Sequence, residues 1–359
     1  MMLKIWTGYL GELRMLCEIT DNWDDVLFSF PCDKKDIYFT RKYVDLYATS
    51  ENKAVCVICR DGDRIMLMPF LRGEVNGYYD FETAYGYGGP VSNVADDDWN
   101  QLAFCRIYDY LKENNYLCGL VRFHPLFNNF RIAECKSDTR NINVIYDRQT
   151  VAIDTSLSEE EIWSTQINSK NRNMIRKAEK NGLEYRAEFD FASFDEFIAL
   201  YSETMTRLNA DDFYFFDNAY FQRIKEELSG SSFLGTVRKD DKLVCAAIFM
   251  YSEKYGHYHL AGSDRRYSGL GANNFLLWKA ASEMHALGVS EFHLGGGTSS
   301  SPDDSLYKFK KAFSPNGKSF HIAKVIFNAQ AYSSITKAWE EENQDKIERY
   351  AKFLLRYRY

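Results

Sequence analysis

The apolar segments of this 359-residue chain are short and are separated by turn-forming residues, which restricts the chain to folds built from many short strands and helices. The longest uninterrupted apolar run, Leu243 to Tyr251, has nine residues, whereas a helix needs about 20 to cross a bilayer. A transmembrane segment is therefore not predicted. The N-terminus has no charged start followed by a long apolar stretch, so a secretory signal is not expected either.

The composition is that of a globular protein with many aromatic side chains. Aromatic residues make up 16% of the chain, with 25 Tyr and 26 Phe, and there are only six Pro. This favours a packed, strand-rich α/β structure with aromatic-lined clefts. A net charge of −7 argues against extensive coating of nucleic acid, although a local basic groove stays possible.

The eight cysteines do not form a recognisable metal or disulfide pattern. Only Cys56 and Cys59 make a CxxC pair, and they lie in a predicted strand whose alternation places them on opposite faces. A second CxxC and a nearby histidine are both missing, so no zinc set is completed. We therefore predict buried core cysteines, no bound metal, and a reducing, cytoplasmic location.

Both halves of the chain contain strands and helices, with a boundary expected near residues 147–153. In the first half, the predicted elements are strands at 54–60, 64–70 and 117–124, a helix at 99–114, and a Tyr/Gly-rich loop at 85–90. In the second half, they are helices at 158–166, 170–181, 194–208, 218–228 and 273–287, and strands at 233–238, 243–252, 256–261, 290–294 and 324–328. Residues 332–359 are predicted to form one long charged helix, packed and solvated rather than membrane-seeking.

A segment with two glycines, between a predicted strand and a predicted helix, gives the strongest indication of ligand binding. It runs from Ala261 to Ala272. Gly269 and Gly271 lack Cβ atoms where N–H groups at a helix start can face a phosphate, and Arg266 could supply the counter-charge. From the residues alone, a tight turn with an exposed arginine is an equal alternative. A Rossmann site is disfavoured because the three-glycine spacing is absent.

Several segments resemble the FemABX group of tandem GNAT-fold acyltransferases. Arg266-x-x-Gly269-x-Gly271-Ala272 is similar to the pyrophosphate-binding loop of GNAT-fold enzymes, and 292–297 with 305–313 resemble the C-terminal signature of FemABX proteins. The other similar segments are the basic helix of the group, the helix after it and a first-domain loop, at 170–182, 201–207 and 85–90. Together these segments cover most of residues 65–325.

The resemblance implies an α/β fold of two GNAT-like domains with mixed, mostly antiparallel sheets flanked by helices. The first domain would comprise residues 1–148 and 330–359, with the C-terminal helix folded back onto it. The second, residues 149–329, would carry the donor loop. The residues implied to contact the donor are Arg266, Ser268, Gly269, Gly271 and Ala272.

The resemblance also implies an acceptor site in the cleft between the domains. An arginine at position 207 would hold the diphosphate of a UDP-sugar-peptide, with the aromatic residues that follow closing the cleft. A salt bridge from Arg207 to Asp211 or Asp212 is the structural alternative. The basic helix, in which Arg172, Arg176 and Lys180 share a face, could contact a phosphate or a tRNA backbone or could be an ordinary solvated helix.

A lysine-rich segment near the C-terminal signature is predicted to bind the substrate. Five lysines and no acid lie between Ser305 and Lys324, which suits a phosphorylated ligand. If residues 307–313 form a strand, Lys308 and Lys310 would share one face and Lys311 would lie on the other. The predicted substrate-binding residues are Arg207, Lys308, Lys310, Lys311 and Phe313.

Acyl transfer to an amine requires removal of a proton and stabilisation of an oxyanion. The candidates for these roles are His293, Tyr307 and Tyr258. His293 stands where the resembled group commonly has an acid. His257 and His259 share a strand face, and a metal pair there is conceivable, but packing is favoured because no third ligand is evident.

The activity implied by the resemblance is transfer of an aminoacyl or acyl group to an amine of a peptidoglycan precursor. FemABX enzymes use aminoacyl-tRNA as donor. The intact glycine loop would instead suit acyl-CoA, with a sugar nucleotide or amino sugar of surface polysaccharide as acceptor. A third interpretation is a non-catalytic GNAT-like binding protein. The expected partners are a nucleotide- or lipid-linked envelope precursor, aminoacyl-tRNA and a peripheral membrane surface, with no tightly bound cofactor.

Overall fold

The computed structural model describes residues 15–134 and 140–359. Within these residues, thirteen strands form one continuous mixed sheet. The strands are β1 Leu16–Thr20, β2 Asn52–Asp61, β3 Arg64–Val75, β4 Tyr78–Glu82, β5 Val91–Ser92, β6 Tyr116–Arg122, β7 Ile142–Asp154, β8 Glu184–Glu188, β9 Ser232–Lys239, β10 Lys242–Tyr251, β11 Tyr255–Ser263, β12 Glu291–Gly296 and β13 Gly317–Ile326.

Helices pack on this sheet in both halves of the chain. The helices are α1 Asp24–Phe28, α2 Arg41–Asp45, α3 Asp97–Glu113, α4 Phe130–Ala133, α5 Glu159–Glu161, α6 Ser169–Lys180, α7 Phe194–Arg207, α8 Asn218–Glu227, α9 Ala272–Ala286, α10 Ser305–Lys311, α11 Ala329–Glu342 and α12 Ile347–Tyr350. Within the described ranges, no helix is both long enough and apolar enough to span a bilayer.

The strand order repeats a pattern in the two halves of the sheet. The order is β1-β2-β3-β4-β6-β13-β7-β12-β11-β10-β9-β8, and β5 pairs with β3. All neighbouring strands are antiparallel except two pairs, β4 with β6 and β11 with β12. Each half therefore has antiparallel strands followed by one parallel neighbour. The predicted mixed, mostly antiparallel α/β architecture is confirmed.

Turn chemistry fixes the hairpins that the sequence predicted. Strands β9 and β10 are joined at Asp240 and Asp241, which both have positive φ angles, 48° and 61°. Two central residues with positive φ define the hairpin turn whose twist matches that of its strands. Between β2 and β3 only the first central residue, Gly62, has a positive φ angle, 58°, and glycine at this position is typical of the other common two-residue hairpin turn.

The two halves share a core as well as a sheet. Strand β7 pairs with β13 along most of its length and with β12 at its end. One buried cluster contains side chains from residues 23–91 and from residues 191–260. The two remaining large clusters belong mainly to one half each. Burial of apolar surface therefore holds the halves against one another. Since β7 crosses residues 148 and 149, the proposed domain boundary falls inside a strand and stays a prediction.

The cysteine prediction is confirmed for the pair in β2. Cys56 contributes to the core shared by the two halves, whereas Cys59 contributes to the first-half core on the other face of the sheet. Strand alternation therefore separates the two thiols, as expected.

The long C-terminal helix predicted for residues 332–359 is wrong. Helix α11 ends at Glu342, and only the short α12 and a 3-10 turn at Arg356–Arg358 follow. The tail returns to the first half, where Tyr357 donates a hydrogen bond to Asp80 at 2.7 Å and Arg358 pairs with the same carboxylate. Anchoring of the tail at Asp80 requires a change of direction that one continuous helix could not make.

Candidate active site

The glycine loop connects β11 to α9, where the sequence predicted a donor site. Residues 265–270 form a 3-10 turn, and Gly271 begins α9 with φ of +83°. A Cβ on Gly271 would lie 2.5 Å from the Met174 carbonyl oxygen, whereas one on Gly269 would meet nothing within 4 Å. Gly271 is thus required by backbone conformation and by close approach to α6. Gly269 leaves open space beside the start of α9.

The chemistry of this loop suits an anion. No side chain caps the N-terminus of α9, so the unpaired N–H groups of its first turn define a favourable position for negative charge. Arg266 lies 72% exposed and pairs with Asp264 at 2.6 Å, and Lys242 reaches the same carboxylate at 3.0 Å. The two cations hold the pKa of Asp264 well below its usual range. Two cations against one carboxylate leave the loop net positive.

Two of the residues predicted to contact the acyl donor, Ser268 and Ala272, make contacts that stabilise the loop and the start of α9. The Ser268 hydroxyl donates to the Arg265 carbonyl at 2.7 Å. Ala272 is buried at the start of α9 and packs in the second-half core. Arg266, Ser268, Gly269, Gly271 and Ala272 therefore lie together at one helix start, while their contacts with a donor stay predictions.

The lysine-rich segment is a helix, so the strand expected over residues 307–313 is wrong. Asp304 caps α10 by accepting from the Tyr307 N–H at 2.8 Å, a typical N-cap that turns the chain into a helix. Helical spacing then separates the lysines. Lys308 is exposed and pairs with Asp303 at 2.7 Å, whereas Lys311 donates to the Pro315 carbonyl.

Lys310 alone among these three lysines points inward. Its Nζ donates to the Gly296 carbonyl at 2.8 Å and lies 5.4 Å from the ring centre of Tyr258. Burial lowers the pKa of Lys310 to about 7, although the nearby Asp304 carboxylate opposes this shift. A group with a pKa near 7 can change its protonation state during catalysis at neutral pH. Lys310 is therefore the lysine of α10 best suited to the chemistry.

Lys310 lies where β11 and β12 stop pairing. These two parallel strands are paired only from Tyr255 with Glu291 to His257 with His293. Gly296, the acceptor for Lys310, ends β12 beyond that point. Tyr87 of the first half also approaches here: its hydroxyl lies near Gly295, beside the Lys310 Nζ. The Tyr/Gly loop thus brings a first-half residue to the second-half site.

Buried histidines line the boundary between the halves. Asp36 accepts hydrogen bonds from His257 at 2.7 Å and from His124 at 2.9 Å, and all three are almost completely buried. His293 lies next to them, with its ring centre 5.9 Å from that of His257, and contacts the Thr150 hydroxyl at 2.8 Å. We call Asp36, His124, His257 and His293 the histidine cluster.

The protonation of this cluster follows from burial. Burial outweighs the neighbouring Asp36 and lowers the pKa of His124, and burial together with the other histidines lowers the pKa of His293 well below its usual range. Both rings are therefore neutral at pH 7. His293 is also buried from solvent between the two halves. It could act as an acid or base, as predicted, only if a substrate reached it there.

Asp36, His124 and His257 are the one set within residues 15–134 and 140–359 whose ligand atoms lie close enough to share a metal ion. The arrangement of these three side chains fits a hydrogen-bonded cluster better than a metal site. His124 Nδ1 accepts from the Leu126 N–H at 3.3 Å, so the proton is on Nε2, which faces Asp36. A metal-binding Nε2 would need that proton on Nδ1, donated to an acceptor. We therefore derive no step through a metal.

Arg207 ends α7 close to the donor loop. It is exposed and donates to the Ser263 carbonyl at 2.9 Å. The alternative salt bridge to Asp211 is not formed, because Asp211 pairs with Arg349 instead. Three aromatic side chains that follow Arg207 are exposed: Phe213, Tyr214 and Phe215. Phe213 and Tyr214 pack on Tyr85, with ring centres 5.2 and 6.1 Å away, so they cover the boundary beside Arg207.

The basic helix, α6, partly serves the structure. Arg172 donates to the carbonyls of residues 163, 164 and 167, so it stabilises the preceding turn. Arg176 lies over the Trp163 ring, 5.3 Å from its centre. Of the remaining predicted substrate or catalytic residues, Phe313 is a fully buried core side chain, and Tyr307 packs partly buried against the same core.

No signal in the sequence indicated where three residues of this region would lie. Asp36, His124 and Tyr87 are distant from one another in the chain, and only the closure of one half on the other brings them to β11 and β12. Tyr87 belongs to the segment 85–90, which the sequence does predict to be a loop of unusual composition. Its contact with Gly295 could not be deduced.

Comparison with known proteins shows which proteins share this fold. A family model described as an acetyltransferase (GNAT) domain matches residues 169–311, which include the glycine loop and α10. The chain thus has the fold of GNAT acyltransferases, and the expected transferase class is confirmed. The chain is also 25% identical to the UDP-N-acetylmuramoylpentapeptide-lysine N(6)-alanyltransferase of Weissella viridescens, over 82% of this chain and 87% of the relative. The predicted resemblance to the FemABX group is confirmed by this relative.

Solved structures agree on the fold. The crystal structure of FemX matches with a TM-score of 0.66 and 15% identity, over 89% of this chain and 99% of that structure. The C-terminal domain of a putative lysylphosphatidylglycerol synthetase from Agrobacterium fabrum matches with a TM-score of 0.55 and 14% identity, over 87% and 92%. At these identities the likeness concerns the fold alone.

Proposed function

We propose that this protein transfers an aminoacyl group to an amine of a peptidoglycan precursor. The observation that carries the proposal is the similarity to a muramoylpentapeptide-lysine alanyltransferase over 82% of the chain. The geometry supports it, because the cation-bearing glycine loop, Arg207 and Lys310 all lie on elements adjoining β11 and β12. We propose aminoacyl-tRNA as the donor and a nucleotide- or lipid-linked precursor as the acceptor.

In the proposed reaction, the acceptor amine attacks the carbonyl carbon of the donor ester. The new C–N bond forms, the ester C–O bond breaks, and the proton that the amine releases is balanced by the proton that the leaving tRNA hydroxyl takes up. Lys310 in its ammonium form would stabilise the oxyanion that develops on the carbonyl. Its position under Tyr258 and beside Gly296 keeps the ammonium oriented. Arg207 would bind phosphate groups of the acceptor with its exposed guanidinium.

A second function is favoured by one observation, the match of residues 169–311 to an acetyltransferase (GNAT) domain. In this case the donor would be acyl-CoA, with its phosphates at the start of α9, and the acceptor an amino sugar or sugar nucleotide. The bond that breaks would be the thioester C–S bond. The attack by the acceptor amine and the stabilisation of the oxyanion by Lys310 would be the same as in the first function.

One assay separates the two functions. Purified protein is incubated with one acceptor, either UDP-N-acetylmuramoyl-pentapeptide containing lysine or a UDP-amino sugar with a free amine, and with one donor, either alanyl-tRNA or acetyl-CoA. The products are identified by mass. We expect alanine to be added from alanyl-tRNA only. Arg207→Ala should raise the KM for the acceptor about tenfold or more, since an exposed phosphate contact is lost, with little change in stability. Transfer from acetyl-CoA alone would establish the second function, and absence of transfer from both donors would contradict both.

A further inference from the structure

A basic cavity lies far from the candidate active site, at the start of β7. Its volume is about 280 Å³. It is separated from the part of β7 that pairs with β12 by about seven residues, or roughly 20 Å of strand. The lining residues are Asn141, Asn143, Lys324, Ile326, Tyr332, Ala351, Lys352, Phe353, Leu354 and Arg356.

The charge in this cavity is not balanced. Lys324, Lys352 and Arg356 contribute three cations, and the described lining contains no carboxylate. Glu340, which is not among the lining residues, pairs with one Arg356 nitrogen at 2.5 Å. The Arg356 Nε is buried without a hydrogen-bond partner. Two of the cations also oppose one another, because burial and then the charge of Arg356 lower the pKa of Lys324. A bound anion would supply a hydrogen-bond acceptor for the Arg356 Nε and would offset the repulsion between Lys324 and Arg356.

We propose that this cavity binds a phosphate group. Phosphate offers several acceptor oxygens, which match the unpaired Arg356 Nε, the two lysines and the side-chain amides of Asn141 and Asn143. The phosphate could belong to a free ion or to a lipid headgroup at a membrane surface. Phe353, 47% exposed, stands at the rim, where it would contact the apolar region of such a lipid.

The test uses an Arg266→Ala protein throughout, so that binding at the donor loop does not obscure the result. Inorganic phosphate is titrated by calorimetry into this protein and into versions that also carry Lys324→Met or Arg356→Met. We expect each added substitution to weaken binding at least tenfold. Lys337→Met, an exposed lysine outside the cavity, is the matched control and should change nothing. Thermal unfolding verifies that each variant is folded.

A second arm identifies the source of the phosphate. The same proteins are sedimented with vesicles of phosphatidylglycerol and, as a comparison, of phosphatidylcholine. Binding to the anionic vesicles that depends on Lys324 and Arg356 supports a lipid headgroup, and binding of inorganic phosphate alone supports a soluble ligand. Equal binding by all variants, or no binding of phosphate and vesicles, would overturn the proposal.

A separate observation concerns two cysteines that are 42 positions apart in the chain. Cys17 in β1 and Cys59 in β2 are direct partners across the antiparallel pair. Side chains of such partners point to the same face, and their Cα separation of about 4.5–5.5 Å lies within the range that a disulfide requires. Cys17 is half-buried and Cys59 is buried. A hydrogen bond from the Cys59 thiol lowers the pKa of Cys17.

We infer that Cys17 and Cys59 form a reversible disulfide with low-molecular-weight disulfides as the oxidant. The Cys17 thiolate attacks one oxidant sulfur, which gives a mixed disulfide and releases one thiolate. The Cys59 thiol then loses its proton and attacks the Cys17 sulfur, which releases the second thiolate. Two protein thiols are oxidised and one oxidant disulfide is reduced. The loop closed in this way contains Asp36, so oxidation would restrain a segment that joins the two halves.

Titration with oxidised glutathione tests this inference. We expect the intact mass to fall by about 2 Da, peptide mapping to find residues 17 and 59 cross-linked, and the melting temperature to rise because the unfolded chain is constrained. Cys17→Ser should abolish the cross-link, and Cys56→Ser, on the same strand but the other face, should leave it intact. A stable glutathione adduct on Cys17 without a cross-link, or no reaction, would contradict the inference.

Discussion

Asp36 of the first half and His257 of the second half are joined by a hydrogen bond of 2.7 Å between buried atoms. The same Asp36 oxygen accepts from His124 at 2.9 Å, and the other carboxylate oxygen accepts from the Ile37 N–H at 2.5 Å. Three donors therefore satisfy a carboxylate that has no access to water, which is the condition for burying a charge at acceptable cost. The link fixes the relative position of β11 and the segment before α2.

The first prediction concerns stability against pH. Burial depresses the pKa of His124 and His293, and that of His259 to about 3, so the unfolded chain binds more protons than the folded one below about pH 6.5. Stability is then lost as the pH falls, by up to about 1.4 kcal/mol per histidine and pH unit, or about 4 kcal/mol for all three. Urea unfolding at pH 7.5, 6.5 and 5.5 measures this slope.

A matched variant isolates one contribution to that slope. His259→Gln removes one titrating group while it keeps a polar partner for the Tyr220 hydroxyl, which lies 2.9 Å from His259. We expect the slope between pH 6.5 and 5.5 to fall by about one third. Stability that stays constant over this interval in the unsubstituted protein would show that the buried histidines are already protonated when the protein is folded.

The second prediction concerns Lys310. Lys310→Met should reduce kcat by about 10²- to 10³-fold, because a donor to the developing oxyanion is lost, while binding of the donor substrate changes little. Lys308→Met, which alters an exposed lysine on the same helix, should retain activity. The measurement is steady-state transfer of the aminoacyl group. Equal losses in both variants would remove the distinction between the two positions.

The pH profile separates the ammonium role from that of a neutral base. The pKa of Lys310 in the substrate-free protein is about 7, so a required ammonium gives a kcat/KM that falls as the pH rises through 7. Arginine stays charged over this range. Lys310→Arg should therefore keep partial activity and lose this descending limb. An activity that rises through pH 7 would instead indicate a neutral amine acting as a base.

The third prediction separates the two glycines of the donor loop. Gly271→Ala introduces a Cβ 2.5 Å from the Met174 carbonyl oxygen, at a φ of +83° that disfavours alanine, so we expect a loss of stability of about 1–3 kcal/mol. Gly269→Ala meets nothing within 4 Å and should change stability by less than about 0.5 kcal/mol. Urea unfolding compares them. An equally destabilised Gly269→Ala protein would contradict the loop conformation described above.

The fourth prediction concerns the C-terminal tail. Arg358 pairs with Asp80, whose side chain is completely buried. Arg358→Met leaves this carboxylate without its counter-charge and should cost about 3–5 kcal/mol. The double variant Asp80→Asn with Arg358→Met removes the charge as well, so it should be more stable than the single variant. Chemical unfolding of both proteins tests the order, and the reverse order would show that the pair contributes little.

The segments of the candidate active site were recognisable in the sequence, but the position of individual side chains was not. Charge density and spacing identified Lys308, Lys310 and Lys311 as a group. A strand over residues 307–313 would place Lys308 and Lys310 on one face, but Asp304 caps a helix here. Neighbouring residues on a helix are about 100° apart around its axis, so Lys310 points inward while Lys308 and Lys311 point outward. Only the packing of α10 on β12 determines which lysine loses its water and has its pKa lowered.

The sequence by itself determined the elements whose signals are local. Turn residues such as Asp240 and Asp241, apolar periodicity and the loop ending in Gly271 predicted the α/β class, most strands and the place of a donor site. The tertiary structure decided what depends on contacts between distant segments. Asp36, His124 and Tyr87 reach β11 and β12 because the halves share a buried core, and the tail turns back because Asp80 binds Arg358. Such contacts depend on burial and on pairing between residues more than 80 positions apart, and no local pattern encodes them.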